Sequence, residues 1–330
     1  LCSLDDDAGG RNGIIAVGFE QNLGAGGGPM TNFVLPDRSA TAPAAADPMG
    51  STPGVARAQS GTLAVRIERW RDGAEDAGDD RVAVEAPLEF LLHHAAFGEE
   101  ALSFGATMRT PGDDEALAAG LLYGERLIEA ASDMVAIETS TRRPNVVNVR
   151  LRTELAPEFA TPARRFSAGS SCGVCGTTGL DAAIARAAAT RIDSTLRIDR
   201  QVLFDLPKRM RESQARFADT GGIHAAAAFD GEGALVAMAE DVGRHNAFDK
   251  LVGASLLNGA LPLDQNVVLL SGRASFELVQ KALRAGVPIL AAIGAPSSLA
   301  VHLAEAAGLT LVGFLRAGQC NVYAHATRLR

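Results

Sequence analysis

Two cysteines, Cys172 and Cys175, stand three positions apart in Ser170-Ser171-Cys172-Gly173-Val174-Cys175-Gly176, the stretch of this chain closest to a recognisable chemistry. The glycines around them free the backbone for turns and let a second large body come near. A thiol pair at this spacing can close a disulfide, supply half of a zinc site, or carry sulfur on one cysteine while the other resolves it. Structural zinc needs four ligands, and no second Cys-x-x-Cys or finger-like histidine pair follows. Zinc deaminases carry His-x-Glu ahead of Pro-Cys-x-x-Cys. Here the cysteines precede His224, no proline precedes Cys172, and Ala226 holds the glutamate position, so deaminase activity is rejected. A thioredoxin-like motif belongs early in a chain, between a first strand and its helix. In this mid-chain loop, dithiol redox chemistry is the runner-up.

A second polar cluster is Glu240-Asp241-Val242-Gly243-Arg244-His245-Asn246-Ala247-Phe248-Asp249-Lys250. Asp241 is expected to cap a helix on which Asp241, His245 and Asp249 recur every four residues along one face. An imidazole between two carboxylates is either a base or a held structural group. His224, at the start of an apolar run, reads more readily as a hydrogen-bonded core residue than as a ligand. Structural support is the expectation for His224, His245 and Asp241 alike.

The elements that must position these groups are plainest in the last third. Strands are expected at 266–270, 287–293 and 309–315, and helices at 274–285 and from Ser297-Ser298 to 307, closed by Gly286 and Gly308. Strand and helix alternating with short turns imply right-handed crossovers and a largely parallel sheet. Ligands bind such sheets at the carboxyl ends of the strands. The turns there are Ser271-Gly272-Arg273-Ala274-Ser275, Gly294-Ala295-Pro296-Ser297-Ser298 and Leu315-Arg316-Ala317-Gly318-Gln319. Any one of them reads as ordinary helix capping. Three on one edge, with two helix N-termini, Arg273 and Arg316, point to a phosphate-bearing ligand. Further upstream, strands are expected at 62–67, 82–85 and 146–151, and a helix from Pro111-Gly112-Asp113-Asp114-Glu115 to Ile128.

Residues 1–60 are rich in Gly, Ala, Pro, Ser and Thr without either structural period, and read as a disordered tail. Met30 and Met49 are candidate natural starts. The expected organisation is this tail, an N-terminal α+β part over 61–165, and an α/β domain over 166–330 that carries the thiol loop and a mixed or parallel sheet flanked by helices. With 39 acidic against 31 basic residues the chain carries a net charge of −8, which argues against a non-specific grip on nucleic acid. No apolar run reaches the roughly 18 residues of a membrane span, and the N-terminus lacks the pattern of a secretory signal. Four cysteines are too few for a secreted disulfide framework. A cytoplasmic protein with reduced thiols is the expectation.

Taken in order, several motifs resemble the FdhD/NarQ family, the formate dehydrogenase accessory sulfurtransferases. They are Arg109-Thr110-Pro111-Gly112-Asp113-Asp114, Ser171-Cys172-Gly173-Val174-Cys175-Gly176, Gly222-Ile223-His224-Ala225-Ala226-Ala227, Glu240-Asp241-Val242-Gly243-Arg244-His245-Asn246, Ser271-Gly272-Arg273-Ala274-Ser275, Ala295-Pro296-Ser297-Ser298-Leu299-Ala300 and Leu309-Thr310-Leu311-Val312-Gly313-Phe314. The resemblance spans about 62–328. It implies a cytidine-deaminase-like fold without the deaminase zinc, and a sulfur relay. A cysteine desulfurase would load a persulfide on Cys172, and Cys175 would assist or resolve the transfer. The acceptor would be the molybdenum of bis(molybdopterin guanine dinucleotide), destined for formate dehydrogenase. The family's cofactor-binding stretch falls on Phe314, Leu315, Arg316, Ala317, Gly318 and Gln319; Ser271, Arg273 and Ser297 on neighbouring loops are added on phosphate chemistry. No structural metal is expected, and a homodimer is implied. A non-catalytic cofactor chaperone is the other alternative. Arg164 and Arg165 stand just upstream, where they could lower the thiol pKa. Arg126 stands where the family commonly has glycine, Gln319 where it commonly has a basic residue, and Cys320 reads as a small buried residue.

Overall fold

In a computed structural model the described residues are 61–139, 143–155 and 189–330, all within one compact unit, Ser51–Arg330. The expected tail, the boundary at 165, Arg164, Arg165, Cys172 and Cys175 lie outside the described residues. A hairpin comes first, β1 (Thr62–Arg71) paired antiparallel with β2 (Ala74–Ala83). Next come β3 (Ala86–His93), β4 (Leu102–Arg109), β5 (Met134–Thr139) and β6 (Val146–Leu151), which form a four-stranded sheet in the order β4-β3-β6-β5. Of these four only β6 stands out in the sequence. In β3 the residues Leu88, Phe90 and Leu92 alternate into the core, but Leu91 between them masks the period.

Helix α1 (Asp114–Gly124) begins after Asp113, so Pro111 lies outside it. It also stops four residues short of the expected Ile128. The cause is local: Arg126 adopts φ +60, a left-handed conformation that ends a helix and that glycine adopts without strain. Helices α2 (Arg200–Ser213) and α3 (Ala215–Thr220) lead to the second sheet, built from β7 (His224–Phe229), β8 (Leu235–Asp241), β9 (Val267–Leu270), β10 (Ile289–Ala292), β11 (Thr310–Arg316) and β12 (Gln319–Ala324). The order is β12-β11-β10-β9-β7-β8, with β9, β10 and β11 mutually parallel. Helices α4 (Arg244–Leu257), α5 (Phe276–Arg284) and α6 (Ser298–Ala307) connect its strands. The sheet is mixed rather than largely parallel, because β7 and β12 run antiparallel to their neighbours. Among the described residues no helix is long and apolar enough to cross a membrane.

Burial explains why the central strands read as unbroken apolar runs. Val268, Leu270, Leu290, Ala292 and Leu311 face one core together with α1, α4, α5, α6 and the four-stranded sheet. Val267, Leu269, Ile289, Ala291, Val312 and Leu315 face the other with Leu203, Leu206 and Met210 of α2. The first core joins residues on both sides of the expected 165 boundary, from Leu88 to Ala324. Its tightest point is the crossing of α1 and α4. A Cβ on Gly120 would lie 1.8 Å from the Asp249 carbonyl oxygen, and one on Gly253 would lie 1.8 Å from that of Ala116. Only glycine permits backbones so close.

Candidate functional site

Because β8 runs in the same direction as β9, the carboxyl ends of β8, β9, β10 and β11 and the amino end of β7 all meet on one edge. His224 opens β7 opposite Asp241, the last residue of β8. The loops beyond β9 and β10 stay paired past the strands. Gly294 N–H donates to Gly272 O (3.0 Å), Ala274 N–H to Ala295 O (3.2 Å) and Ser297 N–H to Ala274 O (3.0 Å). Phe314 N–H then donates to Gly294 O (3.0 Å), which adds the end of β11. A Cβ at Gly294 would fall 3.0 Å from Gly272 O and 3.1 Å from Arg273 N, so this junction requires glycine. The result is a firm floor of backbone from three loops.

Side chains stand on this floor in a definite order. Ser271 Oγ accepts from Ala225 N–H (2.8 Å) and lies 3.3 Å from His224 Nδ1. The hydroxyl can donate to Nδ1 or accept from it, so this contact holds the His224 ring in either neutral tautomer. Burial, then the Arg244 guanidinium, hold the His224 pKa below the usual histidine range, against the pull of Asp241. Arg244 opens α4, and its Nε is buried without a hydrogen-bond partner among the described residues. Its Cδ and the His224 ring both border Gly272. Next to it, His245 Nε2 is 3.2 Å from Ser275 Oγ and 3.6 Å from a Glu277 carboxylate oxygen. Burial, aided by Lys281, Arg244 and His224, depresses its pKa to about 4 despite Glu277. His245 is therefore neutral near neutrality.

Asp241 does not cap α4, and His245 is not held between Asp241 and Asp249. Asp241 closes β8, Gly243 is the cap residue, and the Asp241 carboxylate accepts from Thr110 N–H (3.1 Å), Gly243 N–H (2.8 Å), Asn246 Nδ2 (3.1 Å) and Lys250 Nζ (2.8 Å). The four-residue period fails because Asp241 is extended strand, not helix.

The expected ligand-binding residues are distributed unevenly. Ser271, Arg273, Phe314 and Ser297 border the edge. Arg273, Arg316, Ala317, Gly318 and Gln319 are exposed. Ser297 accepts from Ala300 N–H (3.3 Å) as the α6 cap, and Ser275 accepts from Leu278 N–H (3.4 Å) as the α5 cap. Leu315 is fully buried in the second core, so only its main chain is available to a ligand. The turn after β11 enters β12 as a hairpin, with Arg316 opposite Gln319. Phe314 is 36% exposed at φ +53, a conformation that strains a bulky residue by about 1–3 kcal/mol and that clusters at ligand sites. Cys320 is half-buried, and burial raises its thiol pKa, which makes it a poor thiolate. Sequence reasoning named Arg244 and Ser275 within motifs but gave neither a place in the site, and it overlooked Glu277. The signal was present: His245 and Asp249 on α4, and Glu277 and Lys281 on α5, share a four-residue spacing.

Comparison with known proteins gives a consistent picture. The FdhD/NarQ family model matches residues 83–330. The chain is 47% identical over 273 residues to the sulfur carrier protein FdhD of Streptomyces avermitilis, covering 80% of this chain and 94% of the relative. It is 40% identical over 265 residues to the sulfur carrier protein FdhD of Sulfurisphaera tokodaii, covering 80% and 98%. Among solved structures, a protein from Desulfotalea psychrophila provisionally described as a formate dehydrogenase accessory protein superposes with a TM-score of 0.63 at 24% identity, covering 82% of this chain and 99% of that one, and so shares its fold.

Proposed function

The chain belongs to the FdhD/NarQ family, and from that membership we propose that it is a sulfur carrier acting in the maturation of formate dehydrogenase. The observation that carries this reading is the extent of the likeness. Relatives named as sulfur carriers match across four-fifths of the chain, and the family match, 83–330, spans both thiols. In the first step the Cys172 thiolate attacks the terminal sulfur of a persulfide on a cysteine desulfurase. A new S–S bond forms on Cys172, the donor's S–S bond breaks, and the donor leaves as a thiolate. In the second, the Cys175 thiolate attacks Cys172 Sγ. The carried sulfur leaves with the electron pair as sulfide, and the two cysteines are left as a disulfide. The acceptor is molybdenum in bis(molybdopterin guanine dinucleotide), the substrate of the transfer.

The edge described above suits the nucleotide ends of that substrate. Helix N-termini, Arg244 and Arg273 favour phosphate, while Phe314, with Arg316 to Gln319 on the adjoining turn, offers an apolar face beside exposed backbone. Ser271 and Ser297 contribute hydroxyls at the loop ends. Formate dehydrogenase is the proposed recipient, a homodimer the proposed assembly, and the cytoplasm the proposed compartment. Mass spectrometry after incubation with a cysteine desulfurase and cysteine tests the relay. A gain of one sulfur on Cys172, lost in Cys172→Ala, is expected. A Cys172→Ala protein that still restores formate dehydrogenase activity in cells lacking the wild type would instead establish a chaperone. Cysteines that cycle through a disulfide without ever taking up sulfur would establish an oxidoreductase.

A further inference from the structure

Four ionisable side chains run in file from the sheet edge into the seam between α4 and α5. His245 meets Glu277 (3.6 Å), Glu277 meets Lys281 (3.4 Å), and Lys281 meets Asp249 (2.6 Å). Every side chain in the file is buried or nearly so. Behind the histidine the charges are two carboxylates against one ammonium, with Glu125 of the α1 terminus adding negative potential on Asp249 and Lys281. In front of it stand Arg244 on α4, which makes no ion pair among the described residues, and His224 on β7, itself under the influence of Asp241. The seam therefore lacks one positive charge, while Arg244 beside it has no ion-pair partner among the described residues.

The position of His245 accounts for this separation. It is the second residue of α4, and its Nε2 touches the residue capping α5, so two helix N-termini converge on the ring. Both oppose an added proton. Ser275 and Glu277 both lie near Nε2, which fixes the neutral ring as the Nε2–H tautomer and leaves Nδ1 as the nitrogen able to accept. An anion lying against Arg244 would cancel the guanidinium's repulsion and add an attraction of its own. The Glu277 carboxylate is already in place to hold an imidazolium.

We propose that an anion settling against Arg244 binds together with a proton, which His245 takes from solvent onto Nδ1. This rests on the reading that phosphate groups occupy this edge, and it adds that the occupied edge holds a charged Arg244–His245 pair. Binding then tightens as pH falls, over the interval between the free and occupied midpoints of His245. Glu277 acts as a positioning residue, since it keeps the seam ready for the added charge.

The test is an NMR pH titration of the imidazoles with and without saturating inorganic pyrophosphate, with His245 assigned through His245→Gln. Without the anion its midpoint should lie at about 4. With pyrophosphate it should rise by roughly one unit or more, equivalent to about tenfold tighter binding to the protonated form. Glu277→Gln should shrink that rise while leaving pyrophosphate bound. Pyrophosphate that perturbs other resonances yet leaves the His245 midpoint unmoved would overturn the inference and leave the phosphate reading standing. No binding at all would overturn both. If His245→Gln does not fold, the His245 ring is assigned in the wild type through its nuclear Overhauser contact with Ser275, and the titration is still decisive.

Discussion

Helix α4 carries both halves of a comparison between two buried lysine–aspartate pairs. Lys250 and Asp241 meet at 2.8 Å with neither side chain exposed, and their remaining contacts go to Thr110, Gly243 and Asn246. Lys281 and Asp249 meet at 2.6 Å, but this pair extends through Glu277 to His245, Ser275 and the sheet edge. The first network is closed, with its charges matched and its partners used. The second is open at one end and carries a surplus carboxylate, and burial raises the Asp249 pKa to about 6. A closed buried network fixes geometry, here the docking of the Arg109-Thr110 corner onto the end of β8. An open one can exchange charge with whatever occupies its end.

The strongest way to break this contrast is to remove one partner from the closed pair. Lys250→Met leaves the Asp241 carboxylate buried beside its backbone donors without a counter-charge, and a loss of about 3–5 kcal/mol is expected in urea denaturation. Asp249→Asn should cost distinctly less, about 1–3 kcal/mol, because Lys281 keeps Glu277 and the amide keeps a hydrogen bond. Equal losses would mean that both networks are merely structural.

The pH dependence sharpens the comparison at the next level. His245 binds its proton near 6.5 when unfolded and near 4 when folded. The unfolded chain thus holds the extra proton between those values, and His245 costs stability as pH falls through that window, by about 3 kcal/mol at most. Asp249 acts in the opposite sense: its folded pKa of about 6 lies above the ordinary carboxylate value, so the folded state gains as pH falls from about 6. The two nearly offset one another in the wild type. The difference between wild-type and His245→Gln stability curves should therefore change by up to about 3 kcal/mol from pH 7 to pH 4, and a flat difference would remove His245 from the account.

Sequence made much of the edge legible and little of the seam. The apolar runs at 266–270 and 287–293 announce buried strands because both faces are covered, and Ser275, Ser297, Gly286 and Gly308 mark helix ends through local capping chemistry. Those signals are short-range. The Asp241–Lys250 pair is not visible in that way, since it depends on β8 ending where it does and on Thr110 arriving from more than a hundred residues away. β3 escaped notice because consecutive leucines blurred its period, and α1 was overrun because the left-handed Arg126 is not glycine. The Cys172 and Cys175 pair was the plainest feature of all, and the reading of it as a sulfur carrier rests on family membership rather than on geometry.

The smallest predicted effect separates the two capping serines. Ser297 caps α6 without meeting His245, whereas Ser275 caps α5 and also meets His245. Ser297→Ala and Ser275→Ala should each cost about 1 kcal/mol in thermal or urea unfolding, as a lost helix cap does. They should differ in the imidazole titration. Ser297→Ala should leave the His245 midpoint where it is, because among the described residues no group of α6 hydrogen-bonds or ion-pairs with the ring. Ser275→Ala should move it downward, because the hydroxyl that accepts from Nε2–H supports the imidazolium more than the neutral ring. Equal stability losses with an unmoved midpoint in both variants would show that the seam is as closed as the Asp241–Lys250 network.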